Sequence, residues 1–294
     1  MCPVFLSIIM IWQTTRYRID LSRPQVMGIV NITPDSFSDG GHHASTSAAV
    51  AHCEQLLKDG ADILDLGGES TRPGAVQVPL QEELARLLPV LREAVKLGVP
   101  VSVDTYKPQA MQAVLDLGAD IINDIWALRW QGATDALDGR QVVAQHPSCG
   151  ICLMHMHGEP RTMQINPMEG DVLPLVQAFL RRATQDLLDR SVARERIVLD
   201  PGIGFGKTVE QNFSLLARQG ELLAAGYPLL AGWSRKSSLA AVAAAGSVPP
   251  AGQHERMAPS VAAALLAVER GAAVVRVHDV RETVQALKVL KAIK

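Results

Sequence analysis

The sequence predicts an α/β protein built as a single (β/α)8 barrel, a TIM barrel, with a short N-terminal β extension. Eight short, β-rich apolar runs alternate with amphipathic helical stretches along the chain. Almost every run ends in a polar residue or a glycine-rich group. The carboxyl ends of TIM-barrel strands meet at one mouth, where the active site lies, whereas a doubly wound nucleotide-binding sheet concentrates its signal after the first strand. The spread of polar strand ends therefore favours the barrel.

The individual elements follow from local patterns. In the clearest helical stretch, residues 80–95, leucines recur at helical spacing, and Pro89 is expected to bend the helix. Gly60, Gly98, Gly118 and Gly271 follow helical stretches and predict helix ends. No linker divides the chain, so residues 21–294 are predicted to form one domain after an N-terminal extension of residues 1–20. The predicted strands are 26–31, 63–67, 100–104, 121–124, 151–154, 197–200, 229–232 and 274–277.

Composition argues against several classes of partner and setting. The 294 residues carry a net charge of −2, whereas nucleic acids and anionic membranes select basic surfaces. Four cysteines in so long a chain do not form a disulfide framework, which predicts a reducing cytoplasm. Residues 4–12 are apolar, but no basic residue precedes them and the run is too short to span a bilayer. Residues 1–9 are therefore expected to be dispensable, with translation starting at Met10.

A glycine-rich segment over residues 200–208 is similar at first sight to a phosphate-binding P-loop. The Walker pattern requires a glycine five positions before the Gly-Lys pair, where this chain has Pro201. The dinucleotide fingerprint fails because Lys207 occupies the position of its last glycine. The segment is instead predicted to be a strand-to-helix turn with Asp200 at the strand end.

Cys149, Cys152, His155 and His157 have a C-x2-C-x2-H-x-H spacing that could be read as a zinc site. Side chains alternate between the two faces of a strand, so Cys152 and His155 are expected to point in opposite directions. Metal ligands have to converge on one point. The spacing therefore predicts no zinc site.

Arg276 and His278 are two residues apart at the end of an apolar strand, which predicts that both point into the mouth while Val275 and Val277 pack on the other side. A guanidinium and an imidazole placed together suit a phosphate. The alternative is ion pairing with carboxylates across the mouth. The pattern favours neither.

Three other strand ends carry Asp104, Asn123 and Asp200. Two carboxylates and an amide suit a ligand rich in ring N–H and amino groups, such as a pterin or a purine. The alternative for the two aspartates is N-capping of the helices that follow. Lys236, after a further strand end, could bind a ring carbonyl or a phosphate or be solvated, and its spacing does not choose.

Two loops carry a resemblance to a known family. Residues 27–41 (MGIVNITPDSFSDGG) and 65–74 (DLGGESTRPG) resemble the signature loops of the dihydropteroate synthases. Shorter stretches are similar to that family in the same order, and the resemblance runs from about residue 18 to residue 292. These stretches are 102–105, 122–124, 153–156, 200–207, 234–237 and 276–279.

The resemblance implies a barrel that condenses 6-hydroxymethyl-7,8-dihydropterin diphosphate with 4-aminobenzoate in folate biosynthesis. It implies that diphosphate leaves first and that the arylamine traps a pterin cation, so no side-chain nucleophile is needed. Asp104, Lys236, Arg276 and His278 would be the catalytic residues. The pterin diphosphate would contact Thr71, Asp104, Asn123, Asp200, Lys236, Arg276 and His278, and Asn31 would also contact the diphosphate.

The resemblance also implies a cofactor and an assembly. Asn31 would ligate Mg²⁺, with Asp35 a weaker candidate, and the family is usually homodimeric. Residues 262–268 carry no polar side chain, which independently predicts a helix that is fully buried or lies in a subunit interface. The 4-aminobenzoate pocket would be formed by Phe37, Pro73, Phe205, Lys236 and Ser237.

Two rival functions are weighed against this one. A pterin-dependent methyltransferase would use a similar barrel but would not need the Thr-Pro-Asp-Ser-Phe and Glu-Ser-Thr-Arg-Pro loops or the Ser-Arg-Lys turn, all of which are present. A catalytically inactive barrel would be expected to have a broken set of site residues. Here the set is intact.

Overall fold

The computed structural model describes residues 10–33, 41–71, 74–131, 138–244 and 256–293, the side chains of residues 41–45 excepted. Within these residues, eight parallel strands close into a barrel in the order β10 (Ala272–Val277), β3 (Gln25–Asn31), β4 (Ile63–Gly67), β5 (Val101–Asp104), β6 (Ile121–Asp124), β7 (Gly150–Met154), β8 (Ile197–Asp200) and β9 (Leu229–Ala231). Two further strands, β1 (Ile11–Gln13) and β2 (Arg18–Asp20), form an antiparallel hairpin at the N-terminal end. The predicted TIM barrel with an N-terminal β extension is therefore confirmed.

The barrel strands lie close to their predicted positions because each is an apolar run that is buried on both faces. The largest difference is at β10, which begins two residues before the prediction; Ala272 and Ala273 have low β-propensity, so the apolar-run criterion missed them. The strands are β1 (Ile11–Gln13), β2 (Arg18–Asp20), β3 (Gln25–Asn31), β4 (Ile63–Gly67), β5 (Val101–Asp104), β6 (Ile121–Asp124), β7 (Gly150–Met154), β8 (Ile197–Asp200), β9 (Leu229–Ala231) and β10 (Ala272–Val277).

Helices follow the barrel strands and cover their outer faces. Pro89 lies inside α2, as predicted. The four glycines predicted to end helices all have positive φ; Gly98, with φ of 77°, allows the chain to leave the turn after α2 in a conformation that other residues disfavour. The helices are α1 (Gly41–Lys58), α2 (Leu80–Ala94), α3 (Pro108–Asp116), α4 (Gly139–Gln145), α5 (Leu173–Leu188), α6 (Val209–Ala217), α7 (Gln219–Leu222), α8 (Ser237–Ala243), α9 (Met257–Glu269) and α10 (Val280–Ala292).

The hairpin β1–β2 closes the amino-terminal end of the barrel. Trp12 on β1 is 0% exposed and its Nε1 donates a hydrogen bond to the carbonyl of Arg196 at 3.0 Å. Ile19 and Leu21 pack beside it against the lower barrel interior. We call the apolar interior layer above the hairpin the barrel floor. Its residues are Met27, Ile63, Ile121, Cys152, Val198, Leu230 and Val274.

Helix α9 is only partly buried. Ala263, Ala264 and Ala267 pack in the core, whereas Leu266 is 39% exposed on the same helix. In the single chain, the predicted choice between full burial and an interface is therefore answered against full burial. None of the helices in the described ranges is long and apolar enough to cross a membrane.

Candidate active site

The polar residues of the site lie directly above the barrel floor, because residues two apart on a strand share a face. On β4, Ile63 belongs to the floor and Asp65 is the next residue on that face towards the mouth. The next inward-facing residues after the apolar floor are therefore polar, and we call them the charged layer: Asp65, Asn123, Asp200 and Arg276. The other pairs of floor residue and site residue are Ile121 with Asn123, Val198 with Asp200, and Val274 with Arg276.

Arg276 is held between two carboxylates. Its Nε donates to Asp65 at 2.6 Å and its Nη2 donates to Asp104 at 2.9 Å. The ion-pairing alternative predicted for Arg276 is therefore present in the structure, while Val275 and Val277 pack in the outer core as expected. Burial opposes the charge of Arg276, but the two aspartates raise its pKa above the ordinary value.

Asp65 was missed by the sequence analysis. The signal was available, because a carboxylate inside the apolar run Ile63–Gly67 has to be paired if it is buried. Asp65 is fully buried, and Asn123 Nδ2 lies 3.4 Å from its Oδ2. It therefore contacts two predicted site residues at once.

Asp104 and Asp200 are buried hydrogen-bond acceptors, and burial raises the pKa of both side chains. Burial raises the pKa of Asp104, and Arg276 only partly opposes this. Burial also raises the pKa of Asp200, against the hydrogen bond from the Gly202 amide (2.7 Å) and the nearby lysines. Such carboxylates are stabilised by a ligand that donates N–H groups to them.

The helix-capping alternative for these two aspartates is wrong. Helix α3 is preceded by Lys107 and helix α6 is capped by Thr208, whose side chain accepts a hydrogen bond from the Gln211 amide at 3.2 Å. Neither Asp104 nor Asp200 caps the helix that follows it, so both carboxylates can accept hydrogen bonds from a ligand in the barrel mouth.

The glycine-rich segment is the predicted strand-to-helix turn, and Lys207 holds it together. Nζ of this buried lysine donates to the carbonyls of Gly202 (2.8 Å) and Phe205 (3.1 Å) and lies 2.9 Å from Nδ1 of His155. Burial lowers the pKa of Lys207 to about 7, although Asp200 opposes the shift. Sequence analysis saw only a failed P-loop, because nothing local shows a lysine turning inwards onto its own turn.

Lys236 extends over the ring of Phe205, with Nζ 4.1 Å from the ring centroid. Burial lowers the pKa of Lys236 to about 8, Arg276 lowers it further, and Asp200 and Asp104 raise it. Gly204 makes room for this side chain, since a Cβ there would meet Lys236 Cδ at 3.1 Å. The predicted residues Phe205 and Lys236 therefore meet, and Ser237 follows at the first turn of α8.

The remaining predicted residues lie around the rim. Nδ1 of His278 is 3.0 Å from Oγ of Ser234, so the imidazole contacts the loop that follows β9. Asn31 ends β3 and Thr71 follows β4. Phe37, Pro73 and Asp35 lie outside the described residues.

A buried ion cluster anchors the loop that carries Thr71. Lys107 Nζ donates to Glu83 at 2.6 Å and also to Glu69, which lies two residues before Thr71. Tyr106 Oη donates to Glu69 at 2.8 Å. The sequence analysis missed this cluster, whose members come from three different elements. Beside it is a cavity of about 260 Å³ whose lining includes Tyr106, Trp126, Trp130 and Thr71.

The cysteines and histidines of the C-x2-C-x2-H-x-H spacing have separate neighbours. Cys152 belongs to the barrel floor, whereas Cys149 Sγ contacts Arg196 in the outer core at 3.0 Å. His155 packs against Lys207 and Phe179. Among the described residues, no group of three His, Cys, Asp or Glu could hold a metal.

Comparison with known proteins places this site in a family. A family model described as "Pterin binding enzyme" matches residues 27–278, which run from β3 to the residue after β10. A dihydropteroate synthase from Neisseria meningitidis serogroup B is 49% identical over 288 residues, covering 96% of this chain and 97% of that protein. The chain belongs to the dihydropteroate synthases.

Solved structures of this family have the same fold. The dihydropteroate synthase of Burkholderia cenocepacia, complexed with 7,8-dihydropteroate, is 48% identical with a TM-score of 0.83 and 96% of each chain covered. That of Yersinia pestis, in a sulfonamide drug complex, is 40% identical with a TM-score of 0.87, covering 97% of this chain and 99% of that one. The family identified from the two signature loops is therefore confirmed.

Proposed function

We propose that this chain condenses 6-hydroxymethyl-7,8-dihydropterin diphosphate with 4-aminobenzoate to give 7,8-dihydropteroate and diphosphate. The observation that carries this is the set of polar side chains in the mouth above the apolar floor: acceptors Asp104, Asn123 and Asp200 on three strands, with Lys236 and Arg276 beside them. The Burkholderia cenocepacia relative is complexed with 7,8-dihydropteroate, which is the proposed product.

The pterin is held by matching donors and acceptors. Its amino and ring N–H groups face Asp200, Asn123 and Asp104, whose pKa directions favour a ligand that donates hydrogen bonds. Lys236 donates to the carbonyl side of the ring. The apolar floor below excludes water and strengthens each of these contacts.

The reaction is a substitution at the methylene carbon of the pterin. The bond from this carbon to the diphosphate oxygen breaks and its electron pair leaves with the diphosphate. The arylamine nitrogen then forms the new bond and loses a proton. Arg276, His278 and Thr71 stabilise the leaving diphosphate, while Asp104 stabilises positive charge on the pterin. No nucleophilic side chain is required.

Mg²⁺ fits the oxygen donors near Asn31 when the substrate supplies the others. Mg²⁺ is commonly held by one or two protein oxygens together with phosphate oxygens. A Cβ at Gly67 would lie 4.0 Å from Asn31 Oδ1 and 3.8 Å from Asp104 Cβ, so this glycine lies beside both side chains. When bound, the ion neutralises charge on the leaving diphosphate. Asp35 is a second candidate ligand.

We assign the 4-aminobenzoate slot to Phe205, Lys236 and Ser237, and the family resemblance adds Phe37 and Pro73. The cation–π contact of Lys236 with Phe205 places a flat apolar face beside a positive charge, which suits an aromatic carboxylate.

We also propose that the chain forms a homodimer, supported by the exposed Leu266 and Met257 on α9. We further propose a cytoplasmic location, supported by the free thiols of Cys53, Cys149 and Cys152.

An assay of diphosphate release tests the function. Formation of dihydropteroate should require the pterin diphosphate, 4-aminobenzoate and Mg²⁺ together, and mass spectrometry should find it in the same amount as the diphosphate released. Lys291→Gln at the exposed end of α10 serves as a control that keeps full activity. No dihydropteroate with all three present, or diphosphate release that 4-aminobenzoate does not increase, would overturn the proposal.

A further inference from the structure

Asp65 occupies a place in the site that direct substrate contact does not explain. Its side chain is 0% exposed, lies one layer below the rim, and is covered by Arg276 and Asn123. A ligand in the mouth meets those two residues first. We propose that Asp65 is a positioning residue: it is the permanent partner that keeps Arg276 in place while Asp104 turns its hydrogen bonds to the pterin. This rests on the proposed function.

The geometry separates the two carboxylates that hold Arg276. Asp65 Oδ2 accepts from Nε, the nitrogen nearest the side-chain stem, and also lies 2.6 Å from Nη2, whereas Asp104 accepts from the terminal Nη2. Side-chain exposure is 10% for Asp104 and 22% for Arg276, so both can reach a ligand that Asp65 cannot. One contact is therefore permanent and the other is open to exchange.

In the proposed function, Asp104 has to exchange its hydrogen bond with Arg276 for hydrogen bonds with the pterin, because the same carboxylate serves both. A carboxylate that bonds Arg276 fully has fewer lone pairs for ring N–H groups. If Asp104 were the sole partner, binding the pterin would release the guanidinium to other rotamers, with a loss of alignment at the diphosphate. Asp65 removes this conflict by holding Nε of the guanidinium while Asp104 bonds the pterin.

Charge supports the same division. Asp104 is faced by Arg276 and Asp65, by Asp124 and Glu83, and by Lys236 across the mouth. After burial and the opposing effect of Arg276, Asp65 is the next cause that raises the pKa of Asp104. Neutralising Asp65 should therefore shift the titration of Asp104 to lower pH, an effect that a merely structural ion pair far from the site would not have.

Asp65→Asn is the test variant, because asparagine keeps the shape and an acceptor while losing the charge. The matched control is Asp120→Asn, which neutralises another fully buried aspartate paired with an arginine, Arg16 at 2.6 Å, on the loop before β6. Both variants should lose similar melting temperature. Only Asp65→Asn should lower kcat/KM for the pterin diphosphate, by about 10-fold to about 100-fold, and move the acidic limb of its pH profile to lower pH.

The outcomes separate the two claims. A wild-type chain that releases no diphosphate overturns the proposed function. Equal kcat/KM for Asp65→Asn and Asp120→Asn in an active background overturns the positioning role alone. The double variant Asp65→Asn/Arg276→Met covers the case in which Asp65→Asn fails to fold, since removing both partners of a buried pair is tolerated better than removing one. Adding Asp65→Asn to Arg276→Met should leave kcat/KM unchanged, and a further drop would contradict action through Arg276.

Discussion

Lys207 and Arg276 are both buried cations, but their partners differ. Arg276 has two carboxylates, which raise its pKa. Lys207 donates mainly to carbonyl oxygens, so burial lowers its pKa to about 7. Arg276 is thus a fixed charge available to an anion, and Lys207 is a donor that shapes a turn.

Lys207→Met should destabilise the protein, because the carbonyls of Gly202 and Phe205 lose their donor at a cost of about 1–3 kcal/mol each. The pKa is about 7 folded against 10.5 unfolded, so the unfolded chain binds more protons between these values. Stability of the wild type relative to Lys207→Met should therefore rise as pH increases from about 7 to about 10. Denaturant melts at several pH values measure it, with the exposed Lys291→Met as control. A difference that falls with pH would contradict the assignment.

The two ends of the substrate should be separable at single residues. Asp200→Asn puts an amide donor against ring N–H groups, which should weaken pterin binding by about 1–3 kcal/mol. His278→Ala should weaken binding of the diphosphate form and leave a pterin without diphosphate unaffected. Calorimetry with both ligands measures this. Equal losses for the two ligands in His278→Ala would refute its role.

At the scale of elements, the hairpin β1–β2 belongs to the core although it precedes the barrel. Trp12→Ala empties the largest side chain under the floor, which should cost about 3–5 kcal/mol. A chain beginning at Met10 retains the hairpin and should keep both its melting temperature and its activity. Thermal melts measure both effects: relative to the full chain, the melting temperature should fall for Trp12→Ala and stay unchanged for the chain beginning at Met10. Loss of folding in the Met10 form would show that residues 1–9 are needed.

The sequence predicted the elements well because each strand is a buried apolar run bounded by turns. It predicted less of the site, because site partners are distant in the chain. Arg276 and Asp65 are 211 residues apart and meet only because β10 and β4 both flank β3 in the closed sheet. The contacts of Lys107 with Glu69 and Glu83 need the same knowledge of which strands are neighbours.

Over the whole molecule, polarity changes along the barrel axis. The floor and the buried side of the hairpin are apolar, and the charged layer follows at the carboxyl ends of the strands. The net charge of −2 is close to neutral, so attraction of anionic substrates depends on local cations at the mouth rather than on overall charge. Arg276 and Lys236 supply this local field, and both belong to the site that we propose for the two substrates.

This arrangement predicts that sulfonamides compete with 4-aminobenzoate. A sulfonamide has the same arylamine and ring, so it should occupy the slot beside Phe205 with its acidic end near Lys236 and Ser237. Its tetrahedral sulfonyl group should project beyond the outline of the planar carboxylate, towards Pro73 and Phe37, which the family resemblance assigns to this pocket. Pro73→Ser should therefore raise the inhibition constant more than the KM for 4-aminobenzoate, because a small steric difference is worth about 1–3 kcal/mol.

Steady-state inhibition by sulfamethoxazole at several 4-aminobenzoate concentrations measures this competition. Excess 4-aminobenzoate should relieve the inhibition completely in the wild type. Phe205→Leu is the matched comparison, since we propose that Phe205 faces the part that drug and substrate share, and its loss should then weaken both about equally. Inhibition that excess 4-aminobenzoate does not relieve would place the drug elsewhere. The slot beside Phe205 and Lys236 would then have to be assigned again.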